Sequence, residues 1–237
     1  MIIKRIEEII EYSFQELKAI ACEDGTTERN QNRKRNRKQG SRLIFPKTRN
    51  TKKRKSIRIS EQEMRVLLIR ELEARSDEDS YFYSIETPTK EIYRFSENGE
   101  KNNPKIGEGQ SANIDLTIYN KKFVRTHLLE FKFGNKDTCT KDFLKLLCDD
   151  KQCKTNYYIN ILETFNKSTR DSVEEKYGEA IKYVEKNYQD NIVSDLVIIV
   201  GVLYTKHSES DFFIYETINK NQKTIVIREE INTLLND

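Results

Sequence analysis

Two short strings of alternating residues constrain the fold more than any other part of the chain. SANIDLTIY (111–119) and THLLEFKFG (126–134) are joined by a short Asn-Lys-Lys turn. In the second string apolar residues alternate with Glu130 and Lys132, a period of two that predicts a strand with one apolar and one polar face. We therefore predict a hairpin that brings Asp115 close to Glu130 and Lys132. An even loop places Asp115 on the face of Glu130, whereas an odd loop does so only if a bulge shifts the register.

The chemistry of this hairpin depends on its polar face. Ile114, Leu116 and Ile118 are predicted to share the apolar face, which leaves Asp115 on the other side. Two carboxylates on adjacent strands offer oxygen ligands to a hard cation such as Mg²⁺, which can bridge to a substrate phosphate. A lysine beside that cation can orient an attacking water, and this combination favours phosphodiester hydrolysis. The plain alternative is a half-buried hairpin whose polar face lies in water.

The order Asp115, then Glu130-Phe131-Lys132, resembles the catalytic core of the PD-(D/E)XK nuclease superfamily, although Ile114 stands where the superfamily name expects proline. The wider succession SEQE-M-R, YS-I-ETPT, GQSANIDLTIY and LLEFKFGN, over about 57–135, is similar to a group of bacterial members of undefined role. The resemblance implies an α/β fold with a restriction-endonuclease-like core, in which a central mixed β-sheet is flanked by helices. It also implies that Asp115 and Glu130 hold Mg²⁺ (or Mn²⁺ as a substitute) and that Lys132 orients or activates water.

Residues 60–75 are predicted to form a helix ahead of the hairpin. Ser60 is a natural N-cap and Glu63 is at the third helical position, the pattern of a capping box. Glu71 falls in the middle of an apolar stripe, and a buried carboxylate is costly unless it is paired or bound to metal. Glu71 is therefore either a third acidic ligand or the partner of a nearby Arg or Lys; Glu63 either completes the cluster or only caps the helix. Arg65 is a candidate phosphate contact. The apolar stripe comprises Met64, Leu67, Leu68 and Leu72.

Further charged residues flank the hairpin. Residues 81–96 are predicted to form a strand, a Thr-Pro break and a second strand. Glu86, at the end of the first strand, is either another oxygen for the metal site or a surface charge. Residues 137–149 predict a helix after the Glu-x-Lys strand, whose Lys141 and Lys145 either contact phosphates or simply face solvent.

Charge is distributed unevenly along the chain. Residues 29–58 contain 14 Lys or Arg and no Asp or Glu, which leaves 28 basic against 39 acidic residues elsewhere. Such a cationic arm is suited to nucleic acid, which it would bind by displacing counterions; the alternative is a loop that folds against the acidic remainder. With Arg65, the residues predicted to bind nucleic acid are Arg33, Lys34, Arg35, Arg37, Lys38, Lys52, Lys53, Arg54 and Lys55.

The length of 237 residues fits one α/β domain with an appendage. We divide the chain into an N-terminal helix (1–27), the basic arm (28–59) and a nuclease domain (60–237). No signal-peptide pattern and no apolar run long enough for a membrane helix is found, so a cytoplasmic protein is expected. The remaining predicted elements are strands at 156–163, 194–204, 211–218 and 223–228, a helix at 170–188 and a short terminal helix.

The sequence as a whole predicts a Mg²⁺-dependent endonuclease in bacterial defence, restriction or repair. Its preference for DNA over RNA follows from the resemblance alone. The alternative is a non-catalytic nucleic-acid-binding protein on the same fold, and a third candidate is an assembly component whose arm docks an acidic partner. A homodimer and an activating partner protein both stay open.

Overall fold

The computed structural model describes most of the chain apart from the basic arm and several connections. The described residues are 2–21, 45–46, 57–75, 81–95, 104–134, 139–204, 211–217 and 225–228. The helices are α1 (Ile2–Ala21), α2 (Glu61–Ala74), α3 (Thr140–Cys148) and α4 (Lys167–Tyr188), the last followed by a 3₁₀ turn (Gln189–Asn191). The strands are β1 (Phe45–Pro46), β2 (Ile57–Arg58), β3 (Phe82–Arg94), β4 (Lys105–Ile106), β5 (Gln110–Tyr119), β6 (Arg125–Phe133), β7 (Thr155–Leu162), β8 (Asp195–Val202), β9 (Phe212–Thr217) and β10 (Ile225–Arg228).

The described strands form one mixed sheet of eight strands and a separate two-stranded ribbon. The order in the large sheet is β10-β9-β8-β7-β6-β5-β3-β4, and β1 pairs with β2 in the ribbon. β3, β5 and β6 are antiparallel neighbours, whereas β6, β7 and β8 run parallel. The parallel strands are connected through α3 and α4, as parallel neighbours require a crossover. The chain is therefore α/β with a mixed sheet flanked by helices.

The two faces of the sheet bury separate apolar clusters. α1 and α2 cover one face, where Phe14 and Leu67 pack with Leu129 and Phe131 of β6. α3 and α4 cover the other face, where Phe143 and the helix residues around it pack on Leu128 and its neighbours. The alternation predicted for β6 is confirmed, because Leu129 and Phe131 face one layer and Leu128 faces the other.

Local sequence signals explain where the helices begin. The Ser60 side chain accepts a hydrogen bond from the Gln62 backbone N–H at 3.3 Å, so the predicted N-cap of α2 is confirmed. The Asn166 side chain caps α4 by accepting from the Thr169 N–H at 2.9 Å. Side-chain acceptors satisfy donors that a helix start leaves unpaired.

Close approach of α1 to the sheet depends on one glycine. A Cβ on Gly201 of β8 would lie 2.4 Å from ring carbons of Phe14, closer than carbon atoms can approach. Phe14 is 1% exposed and packs beside Phe212 with a ring separation of 5.7 Å. The helix at the start of the chain thus packs on the sheet of the same chain.

The predicted Thr-Pro break in the strand before the hairpin is wrong. β3 runs through Thr87-Pro88 without a break, although its pairing with β5 shifts register between Pro88 and Ile92. In the described residues β4 pairs with β3 only at Tyr93 and Arg94, and a strand with an open side tolerates proline. The predicted terminal helix lies outside the described residues. Within the described ranges, no helix combines the length and the apolar character needed to span a membrane.

Candidate active site

The antiparallel pairing of β5 and β6 brings Asp115 beside the Glu-x-Lys segment. Leu116 pairs with Leu129 and Thr117 with Leu128, so one further step along this register places Asp115 opposite Glu130. The connection, residues 120–124, holds an odd number of residues, and a register shift between Ile118 and Tyr119 compensates for it. The bulge considered from the sequence is therefore present.

β5 changes the face of its apolar residues at Asp115. Ile114 is buried with the α3 and α4 cluster, whereas Leu116 and Ile118 are buried with the α1 and α2 cluster. The prediction that all three share one face is thus wrong. In the adjacent strand Glu86, between the partners of Ile114 and Leu116, has a φ of 51°, a left-handed conformation that locally interrupts regular pairing.

The Asp115 carboxylate contacts both β6 and Arg65 of α2. Its Oδ2 accepts a hydrogen bond from the Phe131 backbone N–H at 2.8 Å. Its Oδ1 lies 3.7 Å from Nη1 of Arg65, which also donates to the Asp115 carbonyl at 3.2 Å and to Glu86 at 2.6 Å. Asp115 is fixed from both sides and keeps 22% of its side chain exposed.

Glu130 and Lys132 lie under α3, which contributes two charged residues to the same cluster. Lys145 Nζ contacts Glu130 Oε1 and donates to the Asn113 carbonyl at 2.9 Å. Asp142 places one carboxylate oxygen 3.3 Å from Lys132 Nζ and the other 3.3 Å from Lys145 Nζ. Glu130, Asp142 and Lys145 are 2%, 1% and 4% exposed, so these charges are paired away from water.

The carboxylate oxygens of the cluster are not equally engaged. Both Asp142 oxygens face an ammonium group, Glu130 Oε1 contacts Lys145, and Asp115 Oδ2 holds the Phe131 N–H. Glu130 Oε2 lies 4.0 Å from Lys132, and Asp115 Oδ1 lies 3.7 Å from Arg65, and neither distance is a hydrogen bond. Each of the two predicted metal ligands therefore keeps one oxygen that is less engaged.

Burial and neighbouring charges shift the ionisation of this cluster. Desolvation raises the pKa of Glu130 to about 8, helped by Asp142 and Asp115 and opposed by Lys145 and Lys132. Burial alone would lower the pKa of Lys132, but Asp142 and Glu130 outweigh it and raise that pKa above its usual 10.5. The same balance, dominated by Glu130 and Asp142, raises the pKa of Lys145. Both lysines are therefore held as ammonium ions.

A polar cleft of about 680 Å³ opens over the cluster. Asp115, Glu130, Lys132, Asp142 and Lys145 all line this cleft. The other lining residues are Tyr93, Arg94, Phe95, Gly109, Gln110, Ser111, Ala112, Asn113 and Lys141. Lys141 is exposed, with its ammonium 5.7 Å from the centre of the Phe95 ring. The charged residues of the cluster therefore border one open cleft.

The donor chemistry of the cleft suits Mg²⁺, although no cage is preformed. Asp115 Oδ1 and Glu130 Oε2 are hard oxygen donors, and Mg²⁺ commonly binds one or two carboxylates while keeping several waters. Across the part of the chain that the structure describes, no group of three or more His, Cys, Asp or Glu side chains is arranged to hold a metal ion. Two carboxylates with water ligands are thus the set that these residues offer.

The other predicted site residues lie around this cluster. Glu71 forms an ion pair at 3.6 Å with Arg75, which lies one helical turn later. This is the pairing with a nearby Arg or Lys that was the alternative to metal binding. Glu71 is also not among the residues that line the cleft. Glu63 is fully buried and is not among the residues lining the cleft, so its place in the acidic cluster stays a prediction. Arg65 is 13% exposed and engaged by Glu86 and Asp115, so its role as a phosphate contact stays a prediction.

The basic arm lies almost entirely outside the described residues. This applies to Arg33, Lys34, Arg35, Arg37, Lys38, Lys52, Lys53, Arg54 and Lys55. Their predicted contact with nucleic acid therefore stays a prediction.

Sequence reasoning missed the two residues that complete the cluster. Asp142 was not singled out, and Lys145 was expected to face either phosphates or solvent, yet it is buried against Glu130. Glu61, in the first turn of α2, also helps to raise the pKa of Lys132. The sequence did contain one signal for Asp142 and Lys145. A helix directly after the Glu-x-Lys strand packs over that strand, so charged residues on its inward face are expected to pair with the charges of the strand.

Comparisons with known proteins do not place this chain in a group. No family model, no curated protein and no solved structure matches it.

Proposed function

We propose that this chain is a metal-dependent nuclease that hydrolyses phosphodiester bonds of DNA. The observation that carries the proposal is the convergence of Asp115, Glu130 and Lys132 in one open polar cleft. Each carboxylate keeps one less engaged oxygen there, and the lysine is partly exposed between them and the solvent.

The order of elements supports membership of the PD-(D/E)XK superfamily. α2 precedes the β3-β5-β6 strands, α3 follows β6, and helices cover both faces of the mixed sheet. This is the arrangement expected from the resemblance of the 57–135 segment, and it supports a restriction-endonuclease-like core. The preference for DNA rests on that resemblance, and the basic arm would add affinity for the phosphate backbone.

In the proposed reaction each residue has a separate task. Asp115 Oδ1 and Glu130 Oε2 would hold Mg²⁺, which supplies a Lewis acid for the phosphoryl group and acidifies the attacking water. Lys132 is kept protonated by its acidic neighbours, so it acts as a hydrogen-bond donor and not as a base. It would orient the water or stabilise negative charge that develops on a phosphate oxygen. Arg65 would keep Asp115 in position through its contact with the carbonyl of that residue.

One observation favours the non-catalytic alternative. Lys145 already contacts Glu130, so this predicted metal ligand has a partner within the protein without any divalent ion. A binding protein with the same fold would retain DNA affinity through its arm and need neither Mg²⁺ nor turnover. The two functions therefore differ in a measurable way.

The test is cleavage by purified full-length protein in Mg²⁺ or Mn²⁺, with supercoiled plasmid, single-stranded DNA and RNA as substrates. Lys132→Ala is compared with Lys121→Ala, which removes an exposed lysine from the hairpin turn at the far end of the strand pair. We expect cleavage by the wild type and by Lys121→Ala, and its loss with Lys132→Ala or EDTA. DNA binding at low salt without metal-dependent cleavage of any substrate would refute the nuclease and favour the binding protein.

A further inference from the structure

The helix after the Glu-x-Lys strand carries two charged residues that face the site. They lie outside the hairpin and outside the motifs on which the resemblance to the nuclease superfamily rests. Asp142 and Lys145 are three residues apart on α3, and both are buried over Glu130 and Lys132. We propose that Asp142 positions the Lys132 amine and does not bind metal, and that Lys145 positions the Glu130 carboxylate. This inference rests on the proposed function.

The distances assign Asp142 to the lysines. Its Oδ2 lies 3.3 Å from Lys132 Nζ, nearer than Glu130 Oε2, which is 4.0 Å from the same atom. Its Oδ1 lies 3.3 Å from Lys145 Nζ. Both oxygens therefore face ammonium groups at ion-pair distance, although neither forms a hydrogen bond among the described residues. The Lys132 amine is thus located by a residue of α3 and only secondarily by its own strand.

Lys145 completes the arrangement by locating the Glu130 carboxylate. It holds Glu130 Oε1 and is itself anchored by the Asn113 carbonyl at 2.9 Å, on the strand that carries Asp115. With Oε1 fixed in this way, Oε2 is left to face the cleft. α3 therefore sets the orientation of both polar residues of β6 before any ligand arrives.

Charge balance explains why such a pair belongs in a site that acts on phosphate. Asp115, Glu130 and Asp142 are three carboxylates, and Lys132 and Lys145 are two ammonium groups. With all five groups ionised, the cluster has a net charge of −1. A bound divalent cation would change this net charge to +1, and a phosphodiester bound beside it would bring the net charge to zero. Without Asp142 the Lys132 amine would lose the nearer of the two carboxylates that locate it.

The experiment separates positioning from metal binding by using isosteric variants of the full chain. Asp142→Asn keeps the shape but removes the charge, and Asp142→Glu restores it. The matched control is Asp150→Asn, which removes another 1%-exposed aspartate, paired with Lys90 at 2.7 Å, just after the end of α3. Mn²⁺ binding is measured by calorimetry, cleavage by kcat and KM, and folding by thermal unfolding.

We expect Asp142→Asn to bind Mn²⁺ as the wild type does and to show a kcat lower by about 100-fold, the loss typical of a catalytic group displaced by about 1 Å. Its KM should change less than about threefold, because ground-state binding is not affected. Asp142→Glu should recover part of kcat, and Asp150→Asn should keep kcat even if it unfolds at a lower temperature.

Three outcomes would overturn the inference. Loss of Mn²⁺ binding in folded Asp142→Asn would make Asp142 a ligand and leave the nuclease intact. An unchanged kcat in Asp142→Asn, or an equal loss in Asp150→Asn, would reduce Asp142 to a structural role. A wild type that neither binds Mn²⁺ nor cleaves would instead refute the proposed function, and the inference with it.

Discussion

Replacing Glu130 with glutamine should reduce the loss of stability that a rising pH causes. Glu130 is 2% exposed, and its burial raises its pKa from 4.5 to about 8. Between pH 4.5 and about pH 8, the Glu130 carboxyl group has released its proton in the unfolded chain but retains it in the folded chain. Because the folded state binds more protons there, an increase in pH lowers the free energy of unfolding.

The magnitude follows from the size of the shift. Each pKa unit corresponds to about 1.36 kcal/mol, so a rise from 4.5 to about 8 represents a destabilisation of roughly 5 kcal/mol above pH 8. Glutamine has the same shape and no charge to desolvate. The stability of Glu130→Gln relative to the wild type should therefore grow by roughly 2–3 kcal/mol between pH 5.5 and 7.5.

Urea unfolding at pH 5.5, 6.5 and 7.5 measures this difference directly. Glu175→Gln serves as the control, because Glu175 is an exposed residue on α4, and its effect should not change over the same range. A stability difference between Glu130→Gln and the wild type that stays constant with pH would refute the reasoning. Cleavage should be lost in Glu130→Gln in either case, because a predicted metal ligand is removed.

Two further predictions concern parts of the molecule away from the cleft. Gly201→Val should lower the free energy of unfolding by about 1–3 kcal/mol in urea and increase amide exchange in α1, because the valine side chain must displace the Phe14 ring. The control is Gly178→Ala on α4, where the new Cβ has open space, and it should be neutral or stabilise by up to about 1 kcal/mol. Similar losses of stability in both variants would contradict the packing argument. Burial lowers the pKa of His127 below 6.5, so the unfolded chain takes up a proton below that pH that the folded chain does not, and stability falls as the solution is acidified. His127→Asn, whose amide can still donate to the Thr155 carbonyl, should lose less stability than the wild type between pH 7 and 5.5; an equal loss would exclude His127 as the cause.

Much of the fold was predictable because it follows from local periodicity. Alternation fixed which residues of β6 face each layer, and the Ser60 cap fixed the start of α2. The predicted strand at 156–163 and the helix at 170–188 differ from β7 and α4 by at most three residues at either end. These elements are long or regular enough for side-chain pattern alone to determine them.

The arrangement of the site was less predictable, for two physical reasons. The change of face at Asp115 accompanies a left-handed backbone at Glu86 in the neighbouring strand, a conformation that no residue pattern near Asp115 indicates. The contacts of Asp142 and Lys145 join a helix to strand residues that lie ten and fifteen positions earlier, so they depend on tertiary packing. For Glu71 the helical wheel left a ligand and an ion-pair partner as alternatives, and the structure pairs it with Arg75 one turn away.

The buried charges themselves argue for a functional site. A buried ion pair gains little stability over well-packed apolar residues, because desolvation of both charges offsets their attraction. Here Glu130, Asp142 and Lys145 are all at most 4% exposed, and α3 could have covered β6 with apolar side chains as it does around Phe143. Stability therefore does not account for three carboxylates and two amines beside an open cleft. Under the proposed function these charges would instead be preorganised to hold a cation and to orient a water, a role in which fixed groups in a buried site are effective.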